Sequence, residues 1–552
     1  MLNRTLVLCG AIVFAATVCP GQLGTEGSIL GIVHDGSGAV VPSASVTVTN
    51  SETGLTQAVV TDADGYFQVL ALPRGVYTVQ VSSAGFTTWQ ITEVTVISGE
   101  QKRVQPVLTV GDVKQQVTVQ ASVELVQTER ASVEATIEQK QIRDLPLNGR
   151  NPVQLVGIVP GMRFLGVTQA NVGGVQVQGL GQHSDATQFS IDGMTANDPS
   201  TEAGMAFPNL DAVDQFRVQA SSFSAENGRD PIQVSMITKS GTNEYHGTLW
   251  EFLRNDKLDA RSALLHDKPT LRRNQYGFSA GGPIVKNKTF VFSSFEGLKF
   301  RGQGGYNSIT IAPEFLQGDF SSLLPRTVIN DPSTGRPFPE NKIPVERFSS
   351  ASKFFFPYIL LPNSPGNRFQ ALAPQPDDGT NFVLRGDQII NAKQKIYVRW
   401  IRVRDSQINT GYRPDVINTT ELTQHNTALN YDWTITPSIL FTISGGFLHS
   451  DFVGDSPLVG KENLTDKAGI QGFPTALRPT AIGLPTVAFT GYTGFWLGGA
   501  GAVIIQARSH QWKVGGEHHS WETYSRRRRR VLGPAHRGAP FVDQSAGRLY
   551  VQ

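Results

Sequence analysis

Apolar and polar positions alternate along the second half of the chain. Leu429, Tyr431 and Trp433 alternate with Asn430 and Asp432. The same period of two recurs in three further segments, at residues 275–280, 395–400 and 439–443. Segments of about ten alternating residues are typical of transmembrane β-strands, which present one apolar and one polar face. A soluble β-sandwich also alternates, so the period alone does not distinguish the two architectures.

The first hundred residues follow a different pattern, in which short β-branched runs alternate with turn residues. The runs lie at residues 29–33, 44–49, 57–61, 66–70, 77–81 and 93–97. Turn sequences such as Asp35-Gly36 and Asp64-Gly65 separate them. Regular short strands between such turns predict a small β-sandwich over residues 26–110. Its expected core is Tyr66, Val69, Leu72, Tyr77, Val79 and Val81.

The N-terminus and the composition indicate an exported protein. Arg4, an apolar run over residues 6–18 and then Pro20 are typical of a secretory signal peptide, predicted over residues 1–22. The two cysteines, Cys9 and Cys19, lie inside it, so disulfide, thiolate-metal and thiol chemistry are not expected in the mature chain. A hydrophobic content of 39% without long apolar runs excludes a polytopic helical membrane protein. The net charge of +2 does not indicate a nucleic-acid partner.

The two patterns meet at residues 238–247, TKSGTNEYHG, a Gly-containing turn followed by alternating strands. This stretch resembles the plug-to-barrel junction of Oar-like TonB-dependent outer-membrane receptors. Residues 123–245 resemble the plug, a small α/β domain, through the motifs LPLNGRN, IDG and AENGR. Within it we predict helices over residues 133–145 and 152–159. Residues 26–110 resemble the carboxypeptidase regulatory-like domain, a transthyretin-like sandwich grouped with carbohydrate-binding-like folds, and residues 246–517 a partial antiparallel transmembrane β-barrel.

The resemblance implies a mainly β receptor or transporter in the outer membrane of a Gram-negative-type bacterium. Its expected partners are the TonB energy-coupling complex, outer-membrane lipid and an unidentified small ligand: a siderophore, an oligosaccharide or a peptide. No enzymatic activity, cofactor or metal is expected.

Two sets of site residues follow from the resemblance. Residues 111–122 occupy the place of the TonB box, with Val117, Thr118 and Val119 as the nearest match, although an ordinary linker or a last sandwich strand fits this stretch equally. Such a box binds by adding a strand to a partner sheet. In the plug, Arg150, Asp192 and Arg229 are expected to hold the domain against the barrel wall through charge-assisted hydrogen bonds.

Two other functions stay open from the sequence. One is a cell-surface protein that binds glycans or peptides through the sandwich and uses the barrel as an anchor. The other is an exported hydrolase, because Ser279 stands in a G-x-S-x-G pattern. That motif requires a helix directly after the serine turn, and Gly282-Pro283 disfavours one.

Residues 518–552 break the barrel pattern. Five consecutive arginines occupy residues 526–530, and neither alternation nor an aromatic final strand follows. A basic run can mimic a nucleic-acid tract, but an exported chain gives it no such partner. We therefore expect an aberrant basic tail, from a truncation or frameshift, after a barrel of about 10 to 14 strands, fewer than the ~22 of plugged transporters.

Overall fold

The fold was analysed in a computed structural model. The structure describes residues 26–111, 116–120, 133–145, 147, 149–167, 174–199, 201–220, 230–261, 263, 267–410, 416–456, 462–472, 483, 485, 487–495, 503–518 and 527–532. The predicted signal peptide lies outside these residues.

The N-terminal domain is a β-sandwich. Its strands are β1 (Gly27–Ile32), β2 (His34–Asp35), β3 (Ser45–Asn50), β4 (Thr56–Val60), β5 (Tyr66–Leu72), β6 (Gly75–Ser82), β7 (Thr88–Val96), β8 (Gln101–Val104), β9 (Val107–Leu108) and β10 (Gln116–Gln120). They form a three-stranded sheet in the order β5-β1-β8, a five-stranded sheet in the order β10-β7-β6-β3-β4, and the pair β2-β9.

The sandwich core contains five of the six side chains that the sequence predicts there; Tyr66 is only half-buried, and its neighbour Phe67 fills the core instead. Tyr77, Val79 and Val81 of β6 are fully buried, and Val69 and Leu72 of β5 face them across the core. All six predicted runs overlap observed strands. The turn at Asp62 is ordinary turn chemistry, since its carboxylate accepts the backbone N–H groups of Asp64 and Tyr66 at 3.0 and 2.9 Å.

The plug domain is a small α/β unit. It contains β11 (Val133–Glu138), helix α1 (Gln139–Asp144), a 3₁₀ helix (Pro152–Ile158), β12 (Met162–Val167), β13 (Val175–Gly179), β14 (Thr187–Ile191), β15 (Met194–Thr195), a 3₁₀ turn (Leu210–Ala212), β16 (Val213–Ala220) and β17 (Ile232–Thr238). Five strands form one sheet in the order β11-β16-β17-β14-β15, and β12 pairs with β13.

The helix predicted over residues 133–145 is wrong in its first half. Residues 133–138 form β11, which pairs antiparallel with β16, and helix α1 begins only at Gln139. Pairing with a partner strand some 80 residues away overrides the local preference. The second predicted helix is confirmed as a 3₁₀ helix, in which the Asn151 side chain caps the N–H of Val153.

The C-terminal half forms one antiparallel ten-stranded sheet, the barrel sheet. Its strands are β18 (His246–Asn255), β19 (Leu271–Val285), β20 (Thr289–Ile309), β21 (Arg368–Pro374), β22 (Asp377–Asn391), β23 (Gln394–Thr410), β24 (Ile417–Thr436), β25 (Ile439–Asp455), β28 (Val503–His518) and β29 (Arg527–Leu532). The small hairpin β26 (Val487–Phe489) and β27 (Tyr492–Phe495) lies outside this sheet. Across the described strands β18 and β29 end the order without pairing to each other, so the sheet is a partial barrel.

The predicted alternation is confirmed, and the plug explains which face is buried. In β24 the polar residues Asn430 and Asp432 are buried against the interior, whereas Trp433 is 38% exposed on the outer face. The apolar Ile401 follows the apolar Trp400 directly and so interrupts the alternation predicted over residues 395–400, but the strand continues through it. Ile401 points inward and is fully buried in the core that the plug shares with the sheet.

The two ends of the barrel sheet differ. At one end residues 286–288, 392–393 and 437–438 make short turns, and the sandwich contacts this end. The Asn243 N–H donates to the Glu52 carbonyl, the Asn243 side chain donates to Asn287, and Leu70 and Ala71 pack on Leu440. At the other end the connections are long. Their described elements are 3₁₀ turns at Pro313–Gln317, Ser321–Leu323, Pro339–Asn341, Val345–Arg347 and Phe356–Tyr358, helix α2 (Ser350–Phe355) and helix α3 (Leu464–Lys467), and a further 3₁₀ turn, Asp256–Leu258, follows β18.

Among the helices in the described ranges, none combines the length and the apolar character needed to cross a membrane.

Candidate functional site

The tip of the plug hairpin β14–β15 points into the wall of the barrel sheet. Ile191 pairs with Met194, and the two residues between them, Asp192 and Gly193, have positive φ angles of 49° and 78°. This is the backbone of a two-residue hairpin turn, for which Asp-Gly is a preferred sequence. The turn therefore presents the Asp192 carboxylate at the end of a rigid hairpin.

The Asp192 carboxylate is held by both domains. From the plug it accepts hydrogen bonds from the Thr238 N–H at 2.8 Å and the Thr238 hydroxyl at 2.9 Å. From the barrel sheet it accepts the Arg399 Nε–H at 2.9 Å, and Arg385 Nη1 lies at 3.4 Å. Two strands of the wall thus bind one carboxylate of the plug.

Arg399 is a fully buried charge whose other hydrogen bonds are also satisfied. It donates to the side-chain and backbone oxygens of Asn426 at 2.8 and 3.1 Å and to the Ile191 carbonyl at 3.3 Å. Tyr397 donates its hydroxyl to the Asp192 carbonyl at 3.0 Å. A buried arginine that loses its carboxylate carries a large desolvation cost, so these groups depend on one another.

Arg385 links the same site to the segment between β17 of the plug and β18, which contains Ser240. Its guanidinium pairs with Asp387 at 2.8 Å, lies 4.3 Å from the centre of the Tyr397 ring, and donates to the Thr238 carbonyl at 3.0 Å. Ser240 donates to Asp387 at 2.7 Å. This part of the contact is therefore a charged network rather than an apolar interface.

The other flank of the hairpin packs closely on the wall. Met194 contacts Tyr397 and Ala428, and a Cβ atom at Gly446 would come within 2.7 Å of the Met194 methyl group. The Gln511 side chain exchanges two hydrogen bonds with the backbone of Thr195, at 2.9 and 3.0 Å. The missing side chain at Gly446 is thus what allows the hairpin to approach β25.

A second plug contact is centred on Arg150, in the LPLNGRN loop. Its guanidinium pairs with Asp211 of the plug and with Glu296 of β20, the latter at 3.0 Å. It also lies over the rings of Phe252 and Trp250 of β18, at 4.4 and 5.4 Å from their centres. Arg150 therefore spans from the plug to two barrel strands.

The remaining predicted site residues lie elsewhere. Arg229 falls outside the described residues. Val117, Thr118 and Val119 belong to β10, which pairs in parallel with residues 89–91 of β7 at the edge of the five-stranded sheet. This arrangement matches the alternative of a last sandwich strand, and the role of these residues in binding TonB stays a prediction. Ser279 lies within the continuous strand β19, without the turn and helix that a nucleophile elbow requires.

Sequence reasoning found Asp192 and Arg150 but missed their partners in the wall. Arg385, Tyr397 and Arg399 stand on the inward face of β22 and β23. Large charged or phenolic residues on that face were the available signal, because an inward charge in a plugged barrel needs a partner from the plug.

A cavity of about 580 Å³ lies where the sandwich, the plug and the barrel sheet meet. Its charged lining includes Glu26, Arg74, Asp214, Lys239, Arg385 and Lys395. Lys395 pairs with Glu26 at 2.6 Å, and Arg74 of the sandwich pairs with Asp214 of the plug. Burial raises the pKa of Glu26 to about 7 despite the nearby Lys395, and burial lowers the pKa of Lys239.

Comparison with known proteins agrees with this arrangement. Residues 28–109 match the carboxypeptidase regulatory-like domain, residues 125–234 the TonB-dependent receptor plug domain, and residues 237–520 the outer membrane beta barrel domain. The TonB-dependent transporter Oar of Myxococcus xanthus is 24% identical over 314 residues, which are 53% of this chain and 29% of that protein.

Solved structures of outer-membrane receptors are also similar. The transporter YddB from Escherichia coli superposes with a TM-score of 0.42 at 10% identity, covering 70% of this chain and 45% of that one. The siderophore receptor PirA from Acinetobacter baumannii gives 0.40 at 14% identity, covering 71% and 46%. This chain thus spans less than half the length of these relatives.

The barrel match alone extends over more than half of the chain, and it is the domain of the Gram-negative outer membrane. The chain belongs to the outer membrane β-barrel family, with the carboxypeptidase regulatory-like and plug domains of an Oar-like TonB-dependent receptor preceding the barrel.

Proposed function

We propose that the protein is a TonB-dependent outer-membrane transporter, in which the plug obstructs the barrel until energy relayed from the inner membrane moves it. The observation that carries this proposal is the Asp192 carboxylate, buried between Thr238 of the plug and Arg385 and Arg399 of the barrel wall. A ligand, once bound at the outer loops, would pass along the space that the displaced plug leaves.

The ion pairs of this contact suit a plug domain that binds to the barrel wall in the closed state and leaves it in the open state. Ion pairs fix the position of the hairpin because the Asp192 carboxylate meets guanidinium groups from two strands in defined directions. Once the hairpin moves and water enters, the same charges regain hydration, which offsets much of the lost pairing. An apolar contact of similar area would instead expose hydrophobic surface to water in the open state.

The position of β10 supports a contact with TonB. Short turns face the periplasm in bacterial outer-membrane barrels, and the sandwich contacts the short-turn end of the barrel sheet. Strand β10 is the outermost strand of its described sheet. An edge strand on this side offers main-chain groups to which an inner-membrane partner can add a strand.

The long connections at the opposite end supply the proposed ligand surface. Residues 310–367 are ordered there around a small cluster in which Phe355 packs with Val416 and Leu464. Arg347 holds Asp331 with two hydrogen bonds, at 2.8 and 3.1 Å. Siderophores, oligosaccharides and peptides are the ligand classes to test against this surface.

The adhesion alternative requires the sandwich to face the cell exterior. Its contacts with the short turns favour the periplasmic side instead, where a glycan-binding module would meet no external surface. The geometry therefore supports the transporter over the anchor.

The proposal is tested by uptake in cells that carry the full gene product in the outer membrane. Fluorescent ferric siderophores, maltooligosaccharides and peptides are offered with and without a protonophore. We expect one probe class to enter only in energised cells, with Asp192→Asn changing its uptake and the exposed plug substitution Asp185→Asn leaving it unchanged. The proposal would be contradicted if the protonophore left the uptake of all three probe classes unchanged.

A further inference from the structure

The outer face of the barrel sheet changes from apolar to cationic at one level across four neighbouring strands. The register of β23, β24, β25 and β28 aligns Val398, Leu429, Gly445 and Trp512 in one row. Val398, Leu429 and Trp512 are 47%, 37% and 66% exposed, as expected for side chains that face lipid tails. Two rows further from the short turns, the residues directly opposite one another are Arg402, His425, His449 and Arg508.

This cationic row, Arg402–His425–His449–Arg508, lies where the membrane is expected to end. His425 stands 11 residues from Thr436 at the short-turn end of β24, about 37 Å along the strand. With the usual tilt of about 40°, this corresponds to a height of roughly 28 Å, close to the ~25 Å apolar band of such barrels. The row therefore reaches the headgroup level on the long-loop side, which is the outer leaflet.

The row carries more positive charge than its own sheet compensates. One carboxylate of the next row, Asp451, approaches His449 at 2.8 Å, but the same row adds the exposed Arg404. An external anion would compensate the charges of the exposed Arg402, Arg404 and Arg508.

His425 is oriented to donate rather than to accept. The indole N–H of Trp400 can only donate, and it lies 3.2 Å from His425 Nδ1. His425 Nδ1 is therefore the acceptor, which leaves its ring proton on Nε2. The Trp400, His425 and His449 rings stack at centre distances of 5.9 and 6.2 Å, so the two imidazole rings form a fixed platform between the two arginines, with Trp400 packed beside it.

We propose that the cationic row binds the phosphate of a phosphorylated lipid headgroup in the outer leaflet. The arginines supply planar forks that match phosphate oxygens, the histidine platform supplies a neutral donor, and the aromatic row beneath it, with Trp400 and Phe447, contacts the first acyl carbons. The site depends only on the barrel and its membrane, so it stands or falls separately from transport.

The test measures lipid binding to the full chain purified in detergent, with diphosphoryl lipid A as the probe and native mass spectrometry as the readout. We expect the double variant Arg402→Gln/Arg508→Gln to lose binding by about tenfold or more, since each guanidinium contributes a charge-assisted hydrogen bond. Arg402→Lys/Arg508→Lys keeps the charge but loses the planar forks, so its binding should lie between that of the parent and that of the glutamine variant. The loop pair Arg326→Gln/Arg336→Gln removes the same charge elsewhere and should bind as the parent does.

Two further binding measurements identify the chemical group that the site recognises. Dephosphorylated lipid A should bind the parent and the glutamine variant equally weakly, and 10-fold excess inorganic phosphate should not displace the diphosphoryl lipid. The proposal is overturned if the glutamine variant binds lipid A as well as the loop pair does, if phosphate removal changes nothing, or if free phosphate displaces the lipid. Circular dichroism of each variant checks that the barrel sheet is retained.

Discussion

Arg399 of the barrel sheet and Asp192 of the plug form an ion pair at 2.9 Å in which both side chains are almost completely buried. The two residues are 207 positions apart in the chain, and each has hydrogen-bond partners in its own domain. The pair therefore fixes where the plug hairpin sits against the wall.

Removing one partner of this pair is expected to be costly. Asp192→Ala leaves the buried Arg399 guanidinium without its carboxylate, which typically destabilises by roughly 3–5 kcal/mol. Protease protection of the plug and the thermal unfolding midpoint should both fall, whereas the exposed Asp185→Ala should change neither. Loss of the charge on both sides, in Asp192→Asn/Arg399→Gln, should cost less than Asp192→Ala; an equal or larger cost would contradict the pairing.

Arg150 should hold the LPLNGRN loop against β18 and β20. Arg150→Ala removes the ion pairs with Asp211 and Glu296 together with the contacts to the Phe252 ring, so we expect a loss of about 2–4 kcal/mol and faster proteolysis of this loop. Arg143→Ala, on the exposed face of helix α1, is the matched control. Identical proteolysis rates for the two variants would show that Arg150 does not anchor the loop.

The close approach of the hairpin to β25 predicts a steric effect at Gly446. A Cβ atom there meets Met194, so Gly446→Val should displace the hairpin and destabilise by about 1–3 kcal/mol. At Gly386, on the outer face of β22, a Cβ atom meets nothing within 4 Å, so Gly386→Val should be tolerated. Met194→Ala should partly rescue Gly446→Val, and no rescue would mean that the clash lies elsewhere.

The raised pKa of Glu26 predicts that docking of the sandwich depends on pH. Its pKa is raised to about 7 by burial, against about 4.3 for an unperturbed Glu, so the docked state binds the proton more tightly. This contribution to stability is complete below about pH 4 and is lost as pH rises through 7. The unfolding midpoint of the sandwich should fall between pH 5 and pH 8 in the parent and in the exposed control Glu93→Gln, but much less in Glu26→Gln. A parent midpoint that rises over this range would contradict the assignment.

The sequence predicts the local features of the fold well because they depend on neighbours in the chain. Alternation in β24 identifies Asn430 as inward and Trp433 as outward, and the turns bound the sandwich strands. Prediction from the sequence fails where contact with a residue distant in the chain determines the local structure. Residues 133–138 become a strand because β16 is available, and Ile401 continues the inward face because the plug covers it.

The candidate site divides in the same way. Asp192 could be selected from the IDG motif because a two-residue hairpin turn has a local signature. Arg385 and Arg399 could not, since their partner lies some 200 residues earlier and only the folded chain brings them together.

A cysteine pair tests most directly whether the plug sits in the barrel and must move for passage. The parent cysteines, Cys9 and Cys19, both lie in the predicted signal peptide, so Thr195→Cys/Gln511→Cys introduces a unique pair at the hairpin–wall contact if that segment is cleaved as predicted. A short, reducible thiol crosslinker should join the two residues in intact cells and stop uptake of the transported probe until reductant is added. Absence of the crosslink, or uptake that continues at the parent rate while the crosslink is intact, would contradict the account.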